Sequence, residues 1–170
     1  MATIRNELPA DIPQVRRVNE LAFGQPAEAD IVDRLRQTCP DALSLVAEED
    51  GAVVGHILFT RAIIEGSGRQ VAGMGLAPLA VLPAHQGQGV GSALVRRGLA
   101  ILREQDCPFI IVLGHAAYYP RFGFERASLN GLACQWQVPD EAFMILILDA
   151  DALAGVSGVA RYRVEFDAAM

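Results

Sequence analysis

The sequence predicts a mixed fold, α+β or α/β, in which helices are inserted among strands without strict alternation. Three observations carry this. Short apolar runs suited to strands occur in the first, middle and last parts of the chain. Two amphipathic stretches stand together near the start, before any second strand. One glycine-rich turn joins a long apolar run directly to a third amphipathic stretch.

Taken in order, Thr3 to Leu8 reads as a short strand. Asp11 then caps a helix, with Gln14 three residues on as in a capping box, and Val15, Val18 and Ala22 form its apolar stripe. Gly24 and Pro26 interrupt it, and a second helix runs through Ile31 and Leu35 until Pro40. Leu43 to Ala47 and Val53 to Phe59 read as a hairpin about the tight turn Asp50-Gly51. A turn at Gly66 to Gly68 leads into the apolar segment Val71 to Leu82, expected as a strand buried on both faces. Pro78 cannot donate to a ladder, so this strand should be interrupted or splayed near its end.

Val90 to Gln105 reads as a helix with Val90, Leu94 and Ile101 on the dry side, and Arg96, Arg97, Arg103 and Glu104 on the wet side. Phe109 to Leu113 is a short apolar strand, and Ala116 to Phe122 forms one or two helical turns kept short by Pro120. Phe124 to Ala127 and Phe143 to Leu148 read as the last core strands. The tail turns at Gly155 to Gly158, and alternation through Tyr162, Val164 and Phe166 suggests an added strand, compatible with a homodimer but with no chemistry of its own.

The chain has 170 residues, enough for one domain with a real core, and carries a net charge of −6 from 14 basic and 20 acidic residues. Without a long basic run, a nucleic-acid partner is not expected. No basic segment followed by an apolar core opens the sequence, so secretion is not indicated. The uncharged stretch Gln70 to Val95 is broken by prolines and glycines and is a poor membrane helix. Cys39, Cys107 and Cys134 suit no metal site and read as reduced packing residues. The expected setting is cytoplasmic, without membrane or metal.

The informative segment runs from Leu79-Ala80-Val81 through Gln86-Gly87-Gln88-Gly89-Val90-Gly91-Ser92. A strand ends, a glycine-rich turn follows, and a helix begins at once. Helix starts present free N–H groups and positive dipole ends, and glycines let a backbone come close to a ligand; together they cradle a pyrophosphate. A Walker-type loop would need a lysine beside Ser92, and Gly91 stands there. A dinucleotide fingerprint would need a third glycine where Ser92 stands, and Asp106 precedes the next strand instead of ending it. The third pattern, Gln/Arg-x-x-Gly-x-Gly/Ala, is satisfied at every position from Gln86 to Gly91.

Here the sequence resembles the GNAT superfamily of N-acetyltransferases. Leu79-Ala80-Val81 looks like that family's fourth strand, and Tyr119-Pro120-Arg121-Phe122-Gly123-Phe124 like its Tyr-x-x-x-Gly-Phe signature. The resemblance implies an α+β fold over residues 3–149, with a mixed, mostly antiparallel sheet, splayed central strands and flanking helices; 150–170 is then a C-terminal extension. It implies acetyl-CoA as acyl donor, with its pantetheine arm against backbone groups of Leu79 and Val81. The pyrophosphate would lie on the N–H groups of Gly87, Gln88, Gly89, Gly91 and Ser92, and no metal would be used.

The implied reaction is direct acetyl transfer to a primary amine, of a small molecule or a peptide N-terminus, in a ternary complex. Tyr119 takes the general-acid position, against a reading as a core aromatic; the Gly-Phe spacing selects it over Tyr118. The family often supplies a carboxylate base, yet neither Gly73 to Val81 nor Phe109 to Pro120 contains an acidic residue. His115 is the candidate base or donor contact, His85 reads as a solvent-facing flank, and His56 as a satisfied structural histidine. Trp136 lines an acceptor pocket or packs. The alternatives are a non-catalytic acyl-CoA-binding regulatory domain or a transferase of another acyl group. The acceptor pocket is expected from Phe23 to Pro26, Arg61 to Arg69 and Leu129 to Glu141.

Overall fold

The apolar runs become strands of one open sheet in the computed structural model, which describes residues 1–66 and 68–170. Its strands are β1 (Thr3–Asn6), β2 (Leu43–Glu49), β3 (Ala52–Gly66), β4 (Arg69–Val81), β5 (Phe109–Leu113), β6 (Glu125–Arg126), β7 (Leu132–Cys134), β8 (Phe143–Ile147) and β9 (Gly158–Arg161). The order is β1-β2-β3-β4-β5-β8-β6, with β9 pairing both β3 and β7. β1–β2, β2–β3, β3–β9, β5–β8 and β6–β8 are antiparallel, while β4–β5 and β7–β9 are parallel. The sheet is thus mixed and mostly antiparallel, with helices α1 (Ile12–Phe23), α2 (Ala27–Thr38) and α3 (Val90–Glu104).

Two compact units divide the chain: Met1–Phe59 with Ala77–Ala100 and Glu165–Met170, and Thr60–Leu76 with Ile101–Val164. In the first, α1 lies beside α2, and Val15, Val18, Leu35, Leu45, Ile57 and Leu94 are buried. His56 is fully buried there with both ring nitrogens partnered, Nδ1 by Asn19 at 3.1 Å and Nε2 by the Ser44 hydroxyl at 2.9 Å. Burial, with a smaller push from the Arg36 charge, lowers its pKa to about 3, so the ring is neutral. In the second unit the central apolar strand β5 is flanked by β4 and β8, and Phe109, Ile110, Ile111 and Ile145 are buried completely.

Several expectations shift. β1 stops at Asn6 and Leu8 is exposed. Asp11 makes no side-chain cap on α1; its carboxylate accepts from the Leu8 N–H at 2.7 Å and from both Arg5 terminal nitrogens. That charge-assisted fork outcompetes a cap, and Arg5 holds the Asp11 carboxyl below its ordinary range. Gln14 is also diverted and accepts from the Val53 N–H. β4 is not dry on both faces throughout: Met74, Ala77, Leu79 and Val81 are only half-buried among buried neighbours.

The turn expected at Gly66 to Gly68 includes Ser67, which lies outside the described residues. Ile101 sits at the margin of the apolar face of α3, where Leu99 and Leu102 take the buried places. The segment Phe124 to Ala127 contributes only the two exposed residues of β6. The tail strand falls earlier than the alternation suggested: β9 covers Gly158–Arg161, whereas Val164–Ala169 coils as a 3-10 turn with Val164 exposed. β7, its parallel partner, has too few residues for a visible alternation.

Candidate active site

The strand end and the glycine-rich turn both belong to the first unit. β4 pairs with β5 only from Met74 to Leu76, against Ile110 to Val112, and then runs on through Leu79, Ala80 and Val81. A short 3-10 turn, Pro83–His85, follows, with the Leu82 N–H tied to the Val54 carbonyl at 2.9 Å. Gln86 turns back so that its Nε2 donates to the Val81 carbonyl at 2.9 Å, and Gln88 reaches the Ala84 carbonyl at 3.4 Å. The side chains of the loop therefore fold onto its own entry.

Gln86, Gly87, Gln88 and Gly89 are exposed, and both glycines have positive φ, +73° and +86°. A Cβ at either would meet no atom within 4 Å, so backbone conformation, not crowding, demands glycine there. The first rung out of this turn runs from the Ala93 N–H to the Gly89 carbonyl at 3.0 Å. The N–H groups of Val90 and Gly91 precede that rung, at the positive end of the 15-residue helix α3. This is a surface able to receive an extended phosphate without a side-chain cation or a metal.

Tyr119 and His115 belong to the second unit. Tyr119 opens the 3-10 turn Tyr119–Phe122, closed by Gly123 at φ +99°. The His115 carbonyl accepts from the N–H of Tyr118 at 3.0 Å and of Tyr119 at 3.5 Å, while the His115 residue itself is exposed. The Tyr119 ring is buried among Tyr118, Phe122 and Phe124, and its hydroxyl makes no hydrogen bond among the described residues. Burial, with a smaller contribution from Tyr118, raises the phenol well above its ordinary pKa. Tyr118 instead stacks under Arg121, whose guanidinium carbon lies 4.6 Å from the ring centroid.

His85 places Nε2 3.6 Å from Glu49, a flank anchored to β2. Trp136 stacks on Tyr162 with centroids 5.7 Å apart and planes at 22°. Tyr162 is the residue that sequence reading passes over: its phenol reaches the backbone of both β4 and β5, and only its place in an alternating tail marks it. Among the described residues no group of three or more His, Cys, Asp or Glu could hold a metal ion, and no helix is long and apolar enough to cross a membrane.

A profile of the acetyltransferase (GNAT) domain matches residues 3–127. The uncharacterized N-acetyltransferase YjhQ of Escherichia coli K12 is 45% identical over 135 residues, 78% of this chain and 75% of its own. YhbS of the same organism, also an uncharacterized N-acetyltransferase, is 39% identical over 165 residues, 96% of this chain and 98% of its own. A crystal structure of YhbS in complex with CoA superposes with a TM-score of 0.89 at 37% identity, over 98% of this chain and 92% of that one. A GNAT family acetyltransferase from Brucella melitensis, crystallised with acetyl-CoA, gives 0.80 at 38% identity, over 98% and 99% of the two chains.

Proposed function

This chain belongs to the GNAT family of N-acetyltransferases, and from that premise we propose that it moves the acetyl group of acetyl-CoA directly to a primary amine. The observation that carries the donor assignment is the exposed turn Gln86–Gly89. Its glycines hold positive φ, and it delivers the N–H groups of Val90 and Gly91 at the head of α3. Relatives crystallised with CoA and acetyl-CoA support the same ligand here. Gln86, Gly87, Gln88, Gly89, Val90, Gly91 and Ser92 take the pyrophosphate, and the β4 segment Leu79–Val81 takes the pantetheine arm. The Val81 carbonyl already accepts from Gln86, which fixes the strand end before the donor arrives.

In the reaction the neutral amine nitrogen attacks the thioester carbonyl, a C–N bond forms, the C–S bond breaks, and the proton the nitrogen then loses is balanced by the one the departing sulfur gains. The amine must first lose a proton, since a free alkyl ammonium stays charged at neutral pH. His115 is assigned as the acceptor of that proton, because it is exposed and a neutral imidazole carries a ring-nitrogen lone pair that can take it. Tyr119 is assigned to the departing sulfur. Burial keeps its phenol protonated, and a free hydroxyl can direct its hydrogen to the sulfur as negative charge develops there. The acceptor is a small molecule or a peptide N-terminus.

Calorimetric titration with acetyl-CoA, CoA and NAD tests the donor site, and release of free thiol with a panel of amines tests transfer. Binding of both CoA species without NAD is the expected result. Absence of CoA binding would remove the loop assignment and the roles built on it.

A further inference from the structure

Tyr162 follows β9 and belongs to the second unit, with its backbone N–H held by the Gln135 side chain. Its ring lies against β4 at Gly75, where an added methyl group would come within 2.6 Å of a ring carbon. The phenol is thus admitted to the sheet because the strand has no side chain there.

Which backbone groups the phenol meets follows from the register. The Gly114 N–H donates to the Ala142 carbonyl, and the Leu148 N–H donates to the Pro108 carbonyl, each at 2.9 Å. Even-numbered residues of the β5 segment therefore turn their backbone groups toward β8. By alternation, Phe109, Ile111 and Leu113 turn theirs toward β4. The ladder pairs Met74 to Leu76 with Ile110 to Val112, so its last rung runs from the Leu113 N–H to the Leu76 carbonyl. Tyr162 Oη sits on both ends of that rung. It accepts from the Leu113 N–H at 3.2 Å and donates to the Leu76 carbonyl at 2.9 Å; the Ile111 carbonyl lies farther off, at 3.4 Å.

A buried tyrosine ordinarily needs some partner for its hydroxyl, and any stray carbonyl would serve. Here both partners are the ends of one rung, at the point where β4–β5 pairing stops. We propose that Tyr162 is a positioning residue for acetyl transfer: its hydroxyl bonds to both ends of the last β4–β5 rung and so fixes where that pairing stops along β4, just ahead in sequence of Leu79–Val81. The inference rests on the reading of that segment as the donor's, and Tyr162 acts through backbone without touching the donor itself.

The test compares the full chain with Tyr162→Phe, which removes one oxygen and frees the Leu113 N–H to close directly on Leu76. Ile145→Val, a buried change in the same unit, serves as the control for general loosening. The Kd for CoA and the KM for acetyl-CoA should both rise about five- to tenfold in Tyr162→Phe, as for one neutral hydrogen bond. Its kcat at saturating donor should stay within about twofold, and Ile145→Val should leave Kd and KM unchanged. Should the phenylalanine variant not fold, amide exchange at Leu113 in the unaltered protein supplies the readout. It should slow when CoA binds, and an unchanged rate would count against the proposal.

CoA binding by the unaltered protein with equal Kd in Tyr162→Phe overturns the positioning role alone. A fall in kcat at constant Kd and KM overturns it too, because Tyr162 would then act on the chemical step. If the unaltered protein fails to bind CoA, the donor reading itself fails.

Discussion

Tyr119 and His56 are both buried, and burial acts on them in opposite chemical senses. For Tyr119 it favours the protonated phenol, the form that can serve a leaving sulfur. Tyr119→Phe should lower kcat by about 10²-fold or more while CoA affinity, measured by titration, stays within a factor of about three. Unchanged turnover would remove Tyr119 from the reaction. For His56 burial favours the neutral ring, near 3 in the folded chain against an ordinary 6.5. As pH falls below about 6.5 the unfolded chain takes up the proton first, and stability drains away until the folded ring also titrates near 3. Urea midpoints at pH 7 and pH 5 should therefore fall less in His56→Gln than in the unaltered protein; equal falls would show that other groups set the acid limb.

At the scale of elements, α3 shows both how far the sequence could be read and where reading stopped. Leu94 lies on its dry face and is completely buried, whereas Arg97 is exposed on the other. Leu94→Ala should cost about 2–5 kcal/mol in chemical denaturation, and Arg97→Ala less than about 0.5 kcal/mol. Similar losses from both would mean that the helix is not anchored by that face. The helix, the hairpin at Asp50-Gly51 and the loop pattern were legible because each is local: period, turn chemistry and glycine spacing lie in consecutive residues. Asp11 was misread because its carboxylate turns back to Arg5, six residues earlier on β1, and to the Leu8 N–H, and not forward onto the helix it precedes. The tail strand was displaced because Val159 and Ala160 find partners in β3 and β7, which no property of the tail announces. The short turn that begins at Tyr119 was legible through Pro120, while the position of Tyr162 depends on a β4–β5 register that neither strand encodes alone.

At the scale of the whole chain, any ligand that binds only the folded state raises its stability by mass action. CoA at about one hundred times its Kd should add about 2.7 kcal/mol, a rise in melting temperature on the order of 5–10 °C for a chain of this size. NAD at the same concentration should give no rise, and a thermal-shift series separates the two. The net charge of −6 gives such measurements a salt dependence that a few comparisons at different ionic strength will expose.

Trp136 is the single tryptophan of the chain, and it stacks on Tyr162, the phenol that divides the β4–β5 rung. Indole emission depends on the polarity and mobility of what lies beside the ring. An optical reporter is therefore built in beside Tyr162, and its colour and intensity should respond to any change in how the two rings stack, without a dye or an engineered residue.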